Sequence, residues 1–288
     1  MFLQLISQGV ATGALYALVG LGFTLVYRTT NQVIFSQGHV FMAGAFIGYI
    51  IVSQFNLPPI LAILLVGLVG FLLGLVLDRV ALRRLHNADH LTFIIATIGI
   101  GIMLENGVRI FFPEPIRFPD IFGTDVVTMG SVRISIRYFW VVGVSVILVA
   151  LLHAFFTYTR VGRGLRAVAA DRVVASVMGI NVTRAISFTV AISTSVAAIA
   201  GLLIGPIYYV SFDMGNVVGL KAFSAAVIGG INSIPGTILG GILVGILENL
   251  SAGYISSAYR DVIAFAFLIL MLFIRPHGLL GYAKPEKI

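Results

Sequence analysis

Apolar runs of about twenty residues recur along this chain between short polar turns, and they constrain its fold more than any other feature. A run of that length crosses the ~30 Å hydrocarbon core as a helix. In lipid, a spanning backbone has to satisfy its polar groups within the protein. The runs are Leu5 to Tyr27, Val40 to Val52, Ile60 to about Leu77, Leu91 to Phe112, Tyr138 to Tyr158, Ala185 to about Ile207, Thr237 to Leu250 and Asp261 to Ile274. A further piece, Val218 to Ile231, lies in a region cut by Pro206, Gly215, Gly219, Gly229, Gly230 and Pro235 and is short for a straight crossing. The expectation is an all-α polytopic membrane protein of eight to nine crossing helices, some short or discontinuous, forming one transmembrane domain over residues 1–288. Hydrophobic residues make up 59% and charged residues 10%, which excludes a soluble globule. The first run has no positive leader and ends in Tyr27-Arg28, so it reads as a retained span, not a cleaved signal.

Charge sets the orientation. Alternating loops hold Arg28; Arg79, Arg83 and Arg84; five arginines between 160 and 184; and Arg275, Lys284 and Lys287, twelve basic residues against five on the other side. Cytoplasmic loops collect Lys and Arg, so the N-terminus is expected outside and the C-terminus inside. The outside loop 113–137 is broken by Pro113, Pro115 and Pro119, and its Val-Thr-Met-Gly-Ser-Val reads as a hairpin. A turn is expected at Phe55 to Pro59.

The inside loop 159–184 carries Arg160, Arg163, Arg166, Arg172 and Arg184 against one carboxylate, Asp171. Asp171 suits the N-cap of a two-turn helix from Arg172 to Met178, and Gly179 suits its left-handed end. Two readings stand: a surface another protein pushes on, or a loop whose charge only fixes topology.

Arg28 to His39 is a polar, glycine-containing interruption between two apolar runs, either a cytoplasmic turn or a broken element facing a pathway. His39, Glu105, Lys221 and Glu248 fall at membrane depth. Ionisable groups there face a cavity or a partner, so Lys221 is expected to pair with Glu105 or Glu248. Such a pair is either a knot that fixes packing or part of a substrate or proton path.

Missing chemistry narrows the classes. There is no cysteine, hence no disulfide or thiolate site. No phosphate-binding G-x-x-x-x-G-K-[ST], H-E-x-x-H or G-x-S-x-G occurs, and no basic run is interleaved with stacking aromatics as nucleic-acid binding requires. An enzyme is not expected. A permease subunit of an energised transporter, a channel-like facilitator and an ion-coupled carrier using Glu105, Lys221 and Glu248 remain.

Three blocks then point to a family: NQVIFSQGHVFMAGAF from Asn31, GRGLRAVAADRVVASVMGIN from Gly162, and KAFSAAVIGGINSIPGTILGG from Lys221, followed by RPHGLLG near the C-terminus. Over essentially its full length the chain resembles LivH-type permease subunits of ABC importers for branched-chain amino acids. It departs from the family pattern at Gln37 and in its short outside loop. The resemblance implies a bacterial inner-membrane permease that pairs with a second, LivM-like permease and two ATPase subunits. ATP and Mg would sit on those partners and no cofactor on this chain, and a periplasmic binding protein would deliver the ligand. The cargo would be branched-chain or other hydrophobic amino acids; permeases of the same shape also serve urea, short amides or aromatic acids. Asp171 to Gly179 would be the helix seated in an ATPase groove, with Arg163, Arg166, Arg172 and Ala175 in the coupling surface. The outside loop and Ser211 to Asn216 would dock the binding protein. Broken-helix logic adds Asn31, Phe35, Ser36, His39, Lys221, Ser224 and Asn232 as candidates for the translocation path.

Overall fold

The computed structural model describes residues 2–55, 57–85, 88–123, 125–129 and 132–281. Asn56 of the predicted turn, residues 86 and 87 of the second basic loop, residue 124, the hairpin tip at 130 and 131, and the tail lysines Lys284 and Lys287 lie outside the described residues.

Helices dominate: α1 (Phe2–Thr30), α2 (Gln37–Phe55), α3 (Pro59–Val80), α4 (His90–Phe111), α5 (Ile136–Tyr158), α6 (Arg160–Ala170), α7 (Arg172–Val177), α8 (Val182–Ile204), α9 (Met214–Gly229), α10 (Ile234–Tyr254) and α11 (Arg260–Ile274). Between α4 and α5, β1 (Val126–Met129) and β2 (Val132–Ser135) form the antiparallel hairpin, with Val127 opposite Ile134. Among the described residues, eight helical segments are long and apolar enough to cross a membrane, the last including the 3₁₀ turn Ser257–Tyr259. The ninth, α9, has 16 residues and reaches only about 24 Å. The bundle has a hairpin end, carrying β1 and β2, and an α6–α7 end.

α1 is the axis, almost wholly buried and packed against α5, α8, α9 and α10. The closest approach is to α10, where Gly9 and Gly13 face Gly241, Ile242, Gly245 and Ile246. A Cβ at Gly245 would lie 2.3 Å from the Gly13 nitrogen. Glycine four residues apart on both helices lets the backbones touch, which supplies the packing that lipid does not provide by exclusion. At the α6–α7 end of this seam the Thr24 and Thr237 hydroxyls meet at 2.6 Å. α3, α4, α5 and α11 form the periphery and expose Leu64, Ile102, Val146, Ile147 and Phe273.

Helix ends extend beyond the expected runs by a few residues, as in α1 and α10, and three differences bear on the site. α2 begins at Gln37, not Val40, because the Gln37 amide donates to the Ser193 carbonyl at 3.0 Å and so can be buried. α9 begins at Met214, not Val218. The 159–184 loop holds two helices, not one. α6 is capped by the Thr159 hydroxyl, which accepts from the Gly162 amide at 2.9 Å, and it buries Leu165 and Val168 near Phe155, Phe156 and Ala185. Gly162, Gly164 and the arginines obscure its apolar stripe. The C-terminal segment caps α9: the Leu279 and Leu280 amides donate to the Ile228 and Gly229 carbonyls at 2.8 and 2.9 Å.

The α1–α10 seam predicts opposite outcomes at two glycines. Gly245→Val should destabilise the protein by roughly 1–3 kcal/mol or more through overpacking. Gly143→Ala, on exposed α5 with nothing within 4 Å of the added Cβ, should be neutral or stabilise by up to about 1 kcal/mol. Thermal unfolding in detergent reads both; equal midpoints would contradict the seam.

Candidate functional site

At the α6–α7 end, Asp171 caps α7, its carboxylate accepting from the Val173 and Val174 amides at 2.9 and 3.1 Å. Gly179 closes the turn at φ +83°, the left-handed conformation that favours glycine. Ala175 is buried against the bundle, while Val173, Val174, Val177 and Met178 are 59–81% exposed. α7 thus presents an apolar crest outside the apolar spans. Its first residue faces inward: Arg172 Nε donates to the Thr29 carbonyl at 2.7 Å, in the last turn of α1. Burial pulls the Arg172 guanidinium below its ordinary pKa, and its Nη2 has no hydrogen-bond partner among the described residues. Arg163 and Arg166 are both exposed on α6.

α1 ends at Asn31, which has φ +55°. The chain then runs back without helical structure from Gln32 to Ser36 before α2 begins. Gln37 lies beside Gly22, where an added Cβ would sit 1.9 Å from its Nε2. Gly22 is eight residues, about 12 Å, before the end of α1. This connector therefore retraces the last two turns of α1 into the bundle, and α2 starts level with Ser193, halfway along α8. Neighbours hold part of its polar surface: Gln32 Nε2 donates to the Ala88 carbonyl at 3.0 Å and the Phe35 amide to Thr97 Oγ1 at 3.2 Å, while Gln32 Oε1 has no hydrogen-bond partner among the described residues. Beside it, Ser193 Oγ donates to the Gly22 carbonyl at 3.0 Å. The interruption is a broken element at membrane depth, not a surface turn.

One turn into α2, His39 Nε2 lies 3.2 Å from Glu105 Oε2 on α4, and Asn216 Nδ2 of α9 donates to the same oxygen at 2.9 Å. His39 fits because Gly101 faces its ring, where a Cβ would come within 2.5 Å. His39 is buried, Glu105 is partly exposed and Asn216 is exposed. The polar group thus opens on a face otherwise formed by Ile98, Ile102, Val217 and Leu220. Nearby, Phe223 packs on Phe35 and Phe23 at ring separations of 5.5 and 5.6 Å.

Lys221 is elsewhere. Two residues after Gly219, which packs on Gly38, it points roughly 200° around α9. Its Nζ lies 2.9 Å from Glu248 Oε1 and 2.6 Å from Asp261 Oδ1, while Arg260 Nε approaches the same Glu248 oxygen at 2.8 Å. Arg260 Nε is close enough for an ion pair but is not aligned for a hydrogen bond. Two cations and two carboxylates balance, joining α9, α10 and α11. Ser224 Oγ bonds to the Leu220 carbonyl within α9, and Asn232 sits between α9 and α10 beside Gly281. The structure therefore gathers Phe35, Ser36 and His39 into one region, puts Asn31 at its root, and places Lys221, Ser224 and Asn232 away from it. Gln37, Thr97, Gly101, Ser193, Arg260 and Asp261 are participants that sequence reasoning missed. For Gln37 the departure from the family pattern was the available signal.

Comparison with known proteins agrees with this architecture. Residues 5–272 match the family described as the permease component of the branched-chain amino acid transport system. The high-affinity branched-chain amino acid permease protein LivH of Escherichia coli is 36% identical, with 100% of this chain and 98% of the relative covered. BraD of Pseudomonas aeruginosa, with the same description, is 34% identical at the same coverage. Among solved structures, PsaBC from Streptococcus pneumoniae in complex with Fab superposes with a TM-score of 0.52 at 16% identity, over 96% of this chain and 93% of that one, a likeness of fold alone. This chain belongs to the branched-chain amino acid transport permease family.

Proposed function

We propose that this chain is one permease subunit of an ATP-driven importer that moves branched-chain amino acids inward, with ATP hydrolysed on separate subunits. The observation that carries the reading is the apolar crest of α7. Three exposed valines on a six-residue helix outside the spans, with the exposed Met178 at its C-cap, suit a protein groove better than water. The relatives' names supply the substrate class. The bias of basic residues puts the α6–α7 end and the C-terminus in the cytoplasm and the N-terminus and hairpin outside. A binding protein would dock at the hairpin end, where the outside loop is joined to the residue just before Ser211 to Asn216: Ile116 and Val210 exchange backbone hydrogen bonds of 2.8 and 2.9 Å.

In this reading the ATPase moves α7, and Arg172 carries the motion to Thr29 and the root of the connector. The other end of the connector holds His39 against Glu105. The face bearing Glu105, Asn216, Ile102 and Leu220 lines the path and meets the second permease. Glu105 offers a carboxylate to the substrate ammonium, and Phe35 and Phe223 offer apolar surface to its side chain. The Lys221–Glu248 group fixes α9 and takes no part in transfer.

Two sets of variants test this. Val174→Asp should insert normally but lower substrate-stimulated ATPase activity of the assembled complex by tenfold or more, through loss of a buried apolar anchor. Arg172→Met should leave assembly intact and uncouple hydrolysis from substrate. Undiminished coupling in both would refute the role of α7. Glu105→Gln should lower uptake roughly tenfold at normal expression, the order expected for one charge-assisted hydrogen bond. Lys221→Met should instead lower stability by roughly 1–3 kcal/mol, the order for losing one charge-assisted hydrogen bond, because Glu248 then keeps Arg260 alone, and Lys221→Met with Glu248→Met should recover part of it with KM unchanged. A transport defect in a stable Lys221 variant would reverse these assignments.

A further inference from the structure

A cavity lies on the other side of α1 from Glu105. It is a groove of about 780 Å³ between α1, α5 and α10, lined along α1 by Val10, Ala14, Ala17, Leu21 and Leu25 and on α5 by Val149, among other apolar side chains. Its cationic lining is concentrated at the α6–α7 end, where Arg28 and Arg166 stand with His153, Thr29 and Thr157. Arg28 is half-buried, and neither arginine has a carboxylate partner among the described residues. Arg166 reaches only the Thr157 carbonyl, at 3.4 Å. Nothing in the transport path described above uses this groove.

We propose that the groove holds an anionic phospholipid, its acyl chains along Leu25, Leu21 and Ala17 and its phosphate between Arg28 and Arg166. The groove runs from Val10 to Arg28, about 27 Å along α1, so the half nearest the arginines matches one leaflet of a ~30 Å core. Water does not fill a groove with so apolar a wall. Basic pockets between helices at the cytoplasmic surface select anionic headgroups. Naming the leaflet cytoplasmic rests on the topology proposed above; the site itself does not. Thr29, whose carbonyl accepts from Arg172, lines the same end, so the headgroup sits beside the joint between α7 and α1.

The test is native mass spectrometry of the assembled complex, exchanged into detergent containing phosphatidylglycerol or phosphatidylcholine with identical chains. Because it reads lipid retention and not transport, it fails or succeeds independently of the proposed function. The wild type should retain phosphatidylglycerol about tenfold better than phosphatidylcholine. Arg28→Gln with Arg166→Gln should bring the two to parity, and Arg28→Lys with Arg166→Lys should keep the preference and so exclude misfolding. Ala150→Phe, which fills the wall on α5, should reduce retention of both lipids. Equal retention of the two lipids by the wild type, or a preference indifferent to the arginine exchange, would overturn the proposal. So would disulfide capture of a second polypeptide by Ala150→Cys, the sole cysteine in that variant, with a cysteine scanned along the partner permease.

Discussion

A backbone that leaves helical geometry inside hydrocarbon has to find its hydrogen-bond partners within its own protein. The segment from Gln32 to Ser36 is where this fold meets that demand. Ala88 and Thr97 satisfy parts of it directly. Gln37, beyond its end, is locked by Ser193, which also bonds to the carbonyl of Gly22. The close α1–α10 seam holds α1 as a fixed axis, and the connector is laid back against that axis. Much of the rest follows: α2 starts at mid-depth, His39 meets Glu105, and Gly38 packs on the short α9. A helix running straight through this region would place the same residues at different depths and remove the site.

The same geometry separates two sets of membrane charges. Glu105 is one carboxylate shared by a histidine and an exposed amide, open on a face of the bundle. Glu248 is buried and faces Lys221 and Arg260, and the exposed Asp261 completes a group whose formal charges cancel. A buried carboxylate between two cations holds helices in place, whereas an open carboxylate with a weak partner leaves an acceptor. α9 carries both, on opposite faces, and its short length lets its start reach Gly38 and its end take a cap from Leu279 and Leu280. The arginine from α7 and the groove arginines Arg28 and Arg166 gather around the last turn of α1, where the connector begins.

Much of this was legible in sequence because it depends on local patterns. Runs of twenty apolar residues mark spans whatever packs beside them, and Asp171 and Gly179 mark the ends of α7 by capping chemistry alone. What escaped depends on register between distant segments. Glu105 and Glu248 sit in identical Leu-Glu-Asn triplets, so nothing local decides which one Lys221 meets; the 200° between Gly219 and Lys221 on α9 decides it. Gln37 and His39 looked like part of a polar break because their partners, Ser193 and Glu105, are far along the chain. α6 escaped because its buried face includes a glycine and its exposed face is arginine, which leaves few apolar positions to count.

In the proposed function α7 and the root of the connector move together, and that motion changes the connector's distance to α4. The chain has no cysteine, so paired spin labels can be placed cleanly at Ser176 on α7, Val33 in the connector and Ile98 on α4, and their distances compared by pulsed electron resonance in the assembled complex with and without ATP. The account predicts a Ser176–Val33 distance that stays fixed while Val33–Ile98 changes. A Ser176–Val33 distance that shifts while Val33–Ile98 holds still would contradict it.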